Sequence, residues 1–258
     1  MSSSPGGAGH AILFDSTLCI GCGACALACK ERNHLPRTAE QPLADELSAR
    51  TYSVVKQHGR AFARHMCMHC EVPTCASVCL VGALRKTSAG PVAYEESRCI
   101  GCRYCMQACP FMVPRYEWDK VFPRVRKCDM CGDRLAAGQK TACSSACPTG
   151  ATKCGPRHDL VEEARARVEK EPNVYVNHVY GVEEVGGTSV LLLSGVPFEQ
   201  LGYPTDLPHQ PLPQLTWEVM SKVPRFAVTA SVFLGGLYWI TKRREHVSVE
   251  EHGGEDRP

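Results

Sequence analysis

Seventeen cysteines in 258 residues constrain this chain more than any other feature. Sixteen of them fall into four sets of four. Cys19-Ile-Gly-Cys22-Gly-Ala-Cys25 runs on to Cys29, and Cys99-Ile-Gly-Cys102-Arg-Tyr-Cys105 runs on to Cys109-Pro110. Both read CxxCxxCxxxC. Two looser sets are Cys67, Cys70, Cys75, Cys79 and Cys128, Cys131, Cys143, Cys147. The phrase Cys-x-x-Gly-Ala recurs at Cys79–Ala83 and Cys147–Ala151. A pattern that returns in this way indicates duplicated units.

The spacing selects the chemistry. A small secreted disulfide protein is usually shorter and carries an even cysteine count; tight clusters of thiols are more often metal sites. Zinc takes four ligands and is served by paired CxxC motifs. The Cys128–Cys147 set could pass for such a site alone, but a triple CxxCxxC offers zinc a crowded third thiol it does not need. A [4Fe–4S] cube does use three closely spaced cysteines, and in two-cluster ferredoxins the fourth ligates the neighbouring cube. The glycine inside Cys-Ile-Gly-Cys adopts positive φ cheaply and lets backbone N–H groups approach the sulfides. Four sets therefore predict four [4Fe–4S] clusters in two pairs. Cys154 lies outside the sets and reads as an inert, partly buried thiol.

The net charge of +2 gives no footprint for nucleic acid. Residues 1–10 are small and polar, with no basic and apolar leader and no twin-arginine pattern, and read as disordered. The cysteine body is expected over 11–155, a cysteine-free α/β and wrapping segment over 156–215, and a polar, disordered tail over 245–258. Strands are predicted at Ala11–Phe14, Tyr52–Gln57, Val92–Tyr94, Val174–Val179 and Val190–Leu193. Helices are predicted at Ala24–Lys30 and Tyr104–Ala108, with another running from an Asp159 N-cap to Lys170. Residues 35–50 read as an inserted surface loop. Arg98, Arg103, Arg115, Arg124, Arg126 and Lys127 flank cysteines. They either raise cluster potentials or serve as surface ion-pair partners. His65 and His69 flank Cys67 and Cys70, yet with every cysteine present no histidine ligand is required. Trp118 reads as ordinary packing or as an interface anchor.

Phe226–Ile240 is apolar and uncharged, and Lys242, Arg243 and Arg244 follow it. Fifteen residues are short for a span of ~20. Counting from Val223, with Arg225 snorkelling, brings the stretch into range, and a membrane anchor over 223–241 is expected. Tyr238 and Trp239 stand where an aromatic belt would. The alternative is a buried core helix. The basic cluster after the helix argues for a cytoplasmic C-terminus, with the cluster body on the periplasmic side of a bacterial inner membrane.

Beyond the cysteine code, the chain resembles the four-cluster iron–sulfur subunits of bacterial membrane-bound respiratory complexes. The likeness is to the formate dehydrogenase beta subunit and to the iron–sulfur subunit of periplasm-facing nickel–iron hydrogenases. It rests on Cys67-Met-His-Cys70-Glu71, Cys109-Pro-Phe-Met-Val-Pro-Arg115, Cys128-Asp-Met-Cys131, Cys147-Pro-Thr-Gly-Ala151, Val185-Gly-Gly-Thr-Ser-Val190 and Gly195-Val-Pro197. Lys30 and Leu80 depart from it, standing where proline often follows the fourth cysteine. The resemblance implies an α+β fold of duplicated bacterial-ferredoxin-like units with one C-terminal transmembrane helix. It also implies four ligand quartets: Cys19, Cys22, Cys25, Cys147; Cys29, Cys128, Cys131, Cys143; Cys67, Cys70, Cys75, Cys109; and Cys79, Cys99, Cys102, Cys105. No residue reads as catalytic. The expected role is an electron wire between a catalytic large subunit (a nickel–iron hydrogenase or a molybdopterin enzyme) and an integral-membrane quinone-reactive subunit. A subunit feeding electrons to a molybdopterin reductase is the alternative. A zinc-stapled structural protein is the alternative from another class.

Overall fold

The apolar run before the first cysteine forms β1 (His10–Asp15), and the first set leads into α1 (Ala24–Arg32). Next come β2 (Ser53–His58) and β3 (Ala61–Met66), an antiparallel hairpin. The second set enters α2 (Thr74–Ser77), followed by the hairpin β4 (Leu84–Lys86) and β5 (Val92–Tyr94). The third set repeats that plan with α3 (Tyr104–Gln107) and the hairpin β6 (Arg115–Tyr116) and β7 (Val125–Arg126). The fourth set brackets α4 (Gly132–Ala136), places Cys143 in α5 (Ala142–Ser145) and leads into β8 (Thr152–Pro156). The chain closes with α6 (Arg157–Lys170), β9 (Val190–Leu193), α7 (Leu212–Met220) and α8 (Val223–His252). This computed structural model describes residues 9–37 and 42–252. Most of the N-terminal stretch, the middle of the 35–50 loop and the end of the tail lie outside the described residues. The class is α+β.

β1 organises the first compact unit, Met1–Pro213. It pairs antiparallel with β8, Phe14 opposite Thr152, and parallel with β9, Ile12 opposite Val190. Alternate residues of a strand point to opposite faces. Ile12 and Phe14 enter a core that holds Cys25, Cys67, Cys128 and Cys143. Ala11 and Leu13 face the other way, onto Leu160, Ala164 and Val168 of α6. Those three recur every fourth residue and give the helix one buried stripe. The three-stranded sheet is thus a wall with thiols on one side and α6 on the other. The segment after Cys154 forms part of that wall. Two helix contacts cross the cysteine sets: α1 packs on α5, and α2 packs on α3.

Three local expectations are corrected. Val174–Val179 is no strand. Tyr175 and Val179 are buried, but His178 N–H turns back to Val176 O at 2.7 Å, and only the bridge Tyr180–Leu192 reaches β9. Asp159 is not the N-cap of α6. Pro156 takes that place with φ −55°, and the Arg157 N–H is satisfied by Gly9 O at 2.8 Å. The 35–50 loop is tethered: Asp45 is buried in an ion pair with Lys30. Lys30 therefore serves as an anchor for this loop.

In the second unit, Gln214–Pro258, α8 continues to His252, so residues 245–252 are helical and not irregular. Leu212–Arg244 is long and apolar enough to cross a membrane. Phe226, Val232, Phe233 and Leu234 are all more than 60% exposed. Thr229 and Thr241 return their hydroxyls to Arg225 O and Leu237 O at 3.1 and 3.0 Å. Both threonine hydroxyls are thereby satisfied without water.

Asp15 ties the wall together. It is 1% exposed and accepts hydrogen bonds from Thr17 N–H (3.0 Å), Arg167 (2.8 Å) and Tyr175 OH (2.9 Å). Asp15→Ala strands those donors and should cost about 1–3 kcal/mol, read as a lower thermal midpoint with iron content unchanged.

Candidate iron–sulfur centres

The backbone around the cysteines is strained in a recurrent way. Gly21 and Gly101, the glycines of the two Cys-Ile-Gly-Cys loops, have φ of +70° and +72°. A Cβ on Gly21 would stand 2.3 Å from the Phe62 ring. Of seven non-glycine residues with positive φ, five (His69, Arg103, Met112, Met130, Cys131) lie within three positions of a cysteine or are one. Such conformations cost of order 1–3 kcal/mol each and persist where the surroundings over-determine them. They turn backbone N–H groups toward sulfur: Ala83 to Cys79 Sγ at 3.2 Å, Met130 to Cys128 at 3.3 Å, Ala142 to Cys131 and Thr152 to Cys147 at 3.4 Å each. The first donor is the alanine of one Cys-x-x-Gly-Ala phrase, and the last stands one residue beyond the other.

Several of these thiols lie close enough to act on one another. Burial pushes the Cys19 thiol up, and Cys25, Cys147 and Cys22 push it the same way. Burial, then Cys143 and Cys131, push Cys29 up to about 12, and Cys128 is raised by burial, Cys29 and Cys143. Cys70 is raised by burial and by Cys67, Cys109 and Cys75. Cys105 is pushed up to about 11 by burial and by Cys99, Cys102 and Cys79. A cavity is lined by Cys79, Cys99, Cys102 and Cys105 together. Each quartet is named below for its first member. Three further pairings run between quartets: Cys25 feels Cys143, Cys128 feels Cys67, and Cys75 feels Cys105. They string the quartets in the order Cys19, Cys29, Cys67, Cys79. Among the described residues, no three His, Cys, Asp or Glu side chains close to the geometry of a single metal ion. Thiols at the corners of a cube stand wider than that.

Cys147 is the exception among these thiols. Burial opposes its ionisation, but the Thr152 N–H, the Thr149 hydroxyl and the Ala151 N–H outweigh burial and lower it. Cys154 lies behind the quartets in β8; burial raises it, and it touches Thr141.

Two buried donors among the cysteines lack partners. His69 is fully buried, and its Nδ1 accepts the Val92 N–H at 2.9 Å. Burial, then Lys127 and Lys86, holds its imidazole well below the usual range. The neutral ring therefore carries its proton on Nε2, which is unpartnered among the described residues. The Tyr94 hydroxyl is also buried without a hydrogen-bond partner, and it lies against Cys99. Stranded donors beside thiols suit a sulfur-rich acceptor.

The flanking cations divide. Arg98 meets Glu95 at 3.7 Å, and Arg126 meets Glu96 at 2.7 Å and Glu117 at 2.9 Å. Arg124 donates to Cys99 O at 2.6 Å, and Arg115 to Leu47 O at 3.0 Å. Arg103 is exposed and lies over Tyr116 and Trp118. Lys127 is buried and donates to Val92 O at 2.6 Å and Cys128 O at 3.0 Å. Sequence reasoning missed Arg64, on β3. It is 2% exposed and donates to Ser53 Oγ at 3.1 Å and Thr152 Oγ1 at 3.5 Å. Burial would lower its ionisation, but Cys143 and Cys25 reverse that and raise it. The only signal was its place, alternating with apolar residues in Ala61–Met66.

Residues 59–157 match the 4Fe-4S dicluster domain family and residues 12–32 the 4Fe-4S binding domain family. A protein of Nitratidesulfovibrio vulgaris is 40% identical over 258 residues, covering 94% of this chain and 69% of that relative. The hydrogenase-2 operon protein HybA of Escherichia coli O157:H7 is 37% identical over 243 residues, covering 78% and 74%. The iron–sulfur subunit of nitrate-inducible formate dehydrogenase from Escherichia coli K12 is 35% identical over 243 residues, covering 87% and 76%.

Two outcomes follow from this geometry. Gly21→Ala should remove part of the iron, and adding Phe62→Ala should restore only some of it. The clash is then relieved, but the positive φ remains disfavoured for alanine. Iron analysis of the two purified variants checks this. Iron needs thiolates, and Cys29 and Cys75 are pushed up to about 12, so near neutral pH the metal-free protein holds these protons. Cluster assembly must release them. Reconstitution should strengthen as pH rises from about 6.5 to about 8.5, with proton release recorded calorimetrically in buffers of different ionisation enthalpy.

Proposed function

The chain belongs to the family of ferredoxin-type 4Fe–4S iron–sulfur subunits of bacterial respiratory oxidoreductases, and from that premise we propose that its sixteen set-forming cysteines hold four clusters in one line. Bound 4Fe–4S clusters supply one-electron oxidation and reduction, and the chain is an electron-transfer subunit. The protein's part is to fix the order, charge and dryness of the centres. The ligand sets are the Cys19, Cys29, Cys67 and Cys79 quartets. The observation that carries this reading is the grouping of thiols within each quartet and their three single-step links between quartets. The contacts of α1 with α5 and of α2 with α3 support the same cross-pairing of sets.

The donor in this reading is a catalytic subunit of hydrogenase or formate dehydrogenase type. The acceptor is a quinone-reactive membrane subunit. The names of HybA and the formate dehydrogenase relative favour oxidation of hydrogen or formate over feeding of a reductase. The helix at Leu212–Arg244 serves as a single-pass anchor. Lys242, Arg243 and Arg244 after it favour a cytoplasmic C-terminus and a periplasmic cluster body.

Purified chain should carry about sixteen iron and about sixteen acid-labile sulfide; values near eight would sink the four-cluster reading. Cys154→Ser should leave this content unchanged, whereas Cys147→Ser should damage the centre built on Cys19, Cys22 and Cys25. Damage confined to the Cys128 and Cys131 centre would show the cross-pairing to be wrong. Protease added to intact spheroplasts should cleave the cluster body and spare a C-terminal tag; the opposite pattern would reverse the topology. Co-purification of a hydrogenase or formate dehydrogenase large subunit from native membranes tests the donor.

A further inference from the structure

A guanidinium that is 98% shielded from water needs an anion, because an isolated buried charge is among the costliest things a fold can hold. Arginine does not escape by losing its proton. Arg64 is in this position. Its oxygen partners are the neutral hydroxyls of Ser53 and Thr152, and its side chain also lies within hydrogen-bond reach of Cys143. Among the described residues no carboxylate lies within ion-pair distance of it, although the chain forms such pairs at Arg32, Arg126, Arg157 and Arg167. The groups that act on it electrically are Cys143, Cys25 and Cys128. Thr152 is shared: its hydroxyl meets Arg64, and its N–H meets Cys147 Sγ at 3.4 Å. Cys25 and Cys147 belong to the Cys19 quartet, Cys128 and Cys143 to the Cys29 quartet. The guanidinium sits at the joint between the two.

We propose that Arg64 is the counter-ion of the Cys19 and Cys29 centres and sets both their reduction potentials. The inference rests on the four-cluster reading above. Four thiolates outweigh the positive charge of an iron–sulfide cube, so each loaded quartet is a buried anion, and every added electron makes it more so. A fixed cation between two such anions stabilises the reduced form of both. It raises their potentials relative to those of the Cys79 centre. The nearby cations there are paired with Glu95, Glu96 and Glu117, as Arg98 and Arg126 are, or exposed to water, as Arg103 is. Arg64 is a positioning and tuning residue; it ligates no iron.

The test is a potentiometric titration followed by electron paramagnetic resonance. It uses full chain purified in detergent with its bound subunits, as wild type, Arg64→Gln and Arg64→Lys. Wild type must first show four reducible centres and its full iron content. Failure there sinks the four-cluster reading and says nothing against the charge at Arg64. With that in place, Arg64→Gln should move two of the four midpoints downward. Each of the two should bind its electron about tenfold more weakly or worse, about 59 mV per tenfold for one electron. Arg64→Lys, which keeps the charge, should restore most of the shift. Four unmoved midpoints in an iron-replete Arg64→Gln protein would overturn the proposal, as would a uniform shift of all four. If Arg64→Gln loses iron, Arg64→Lys decides. Iron retained by the lysine variant with midpoints near wild type supports the charge. Iron lost from both variants means the pocket needs the guanidinium's shape, and overturns it.

Discussion

A thiol must lose its proton to hold iron, yet burial in this protein pushes thiols the other way, and crowding several in one place pushes harder still. Cys29, Cys70, Cys75 and Cys128 all sit under that double load. Much of the local structure answers it. The positive-φ residues turn backbone N–H groups toward sulfur. The relief is greatest at Cys147, where four donors from Thr149, Ala151 and Thr152 converge and the thiol is held below its ordinary value despite partial burial. Elsewhere the donors are too few to win, and a metal must supply the missing positive charge. The folded chain thus holds Cys29, Cys70, Cys75 and Cys128 ready for iron while burial and crowding disfavour their thiolates.

This demand shapes the fold through duplication. A short helix carries the third cysteine of the first set and packs on the helix that carries the third cysteine of the fourth; the second and third sets do likewise. Such helices bury little apolar surface of their own. α2 contains no buried residue at all. The stability that duplicated loops lack comes from the wall formed by β8, β1 and β9, which draws on residues 10–15, 152–156 and 190–193. The cysteine-free segment gives the metal-binding loops a rigid back, which explains why it is attached to them.

The cysteine code, the strands at Val92–Tyr94 and Val190–Leu193 and the apolar C-terminal helix could all be read from residue patterns, because each depends on its own neighbours. What could not be read depends on distant partners. Val174–Val179 alternates like a strand, but Pro172 and the turn at His178 break its hydrogen bonding. Lys30 looked like a missing turn signal until Asp45, fifteen residues on, was found against it. The flanking arginines attracted notice because they adjoin cysteines in sequence, yet Arg98 and Arg126 are engaged by glutamates. Arg64 adjoins a cysteine only in space: the nearest in sequence is Cys67, and those it reaches are Cys143, Cys25 and Cys128.

That contrast bears on how a protein sets the energy of an electron. A cation at the surface is screened by water and, when paired with a carboxylate, presents little net charge to anything beneath it. A cation inside, without a carboxylate, exerts its field through a medium of low dielectric. Arg64 and Lys127 meet that description: Arg64 donates to the hydroxyls of Ser53 and Thr152 and lies against Cys143, and Lys127 donates to the carbonyls of Val92 and Cys128. Arg64 stands at the joint of the Cys19 and Cys29 quartets. Lys127 bonds the carbonyl of Cys128 and acts on Cys75, so it stands at the next joint, between the Cys29 and Cys67 quartets. At the Cys79 end, the chain offers the neutral donor Tyr94, arginines paired with glutamates and the water-exposed Arg103. The difference between the two ends is thus one of buried positive charge. A wire with evenly matched centres would have no need of that asymmetry, whereas one that favours electron residence on some centres over others would require it.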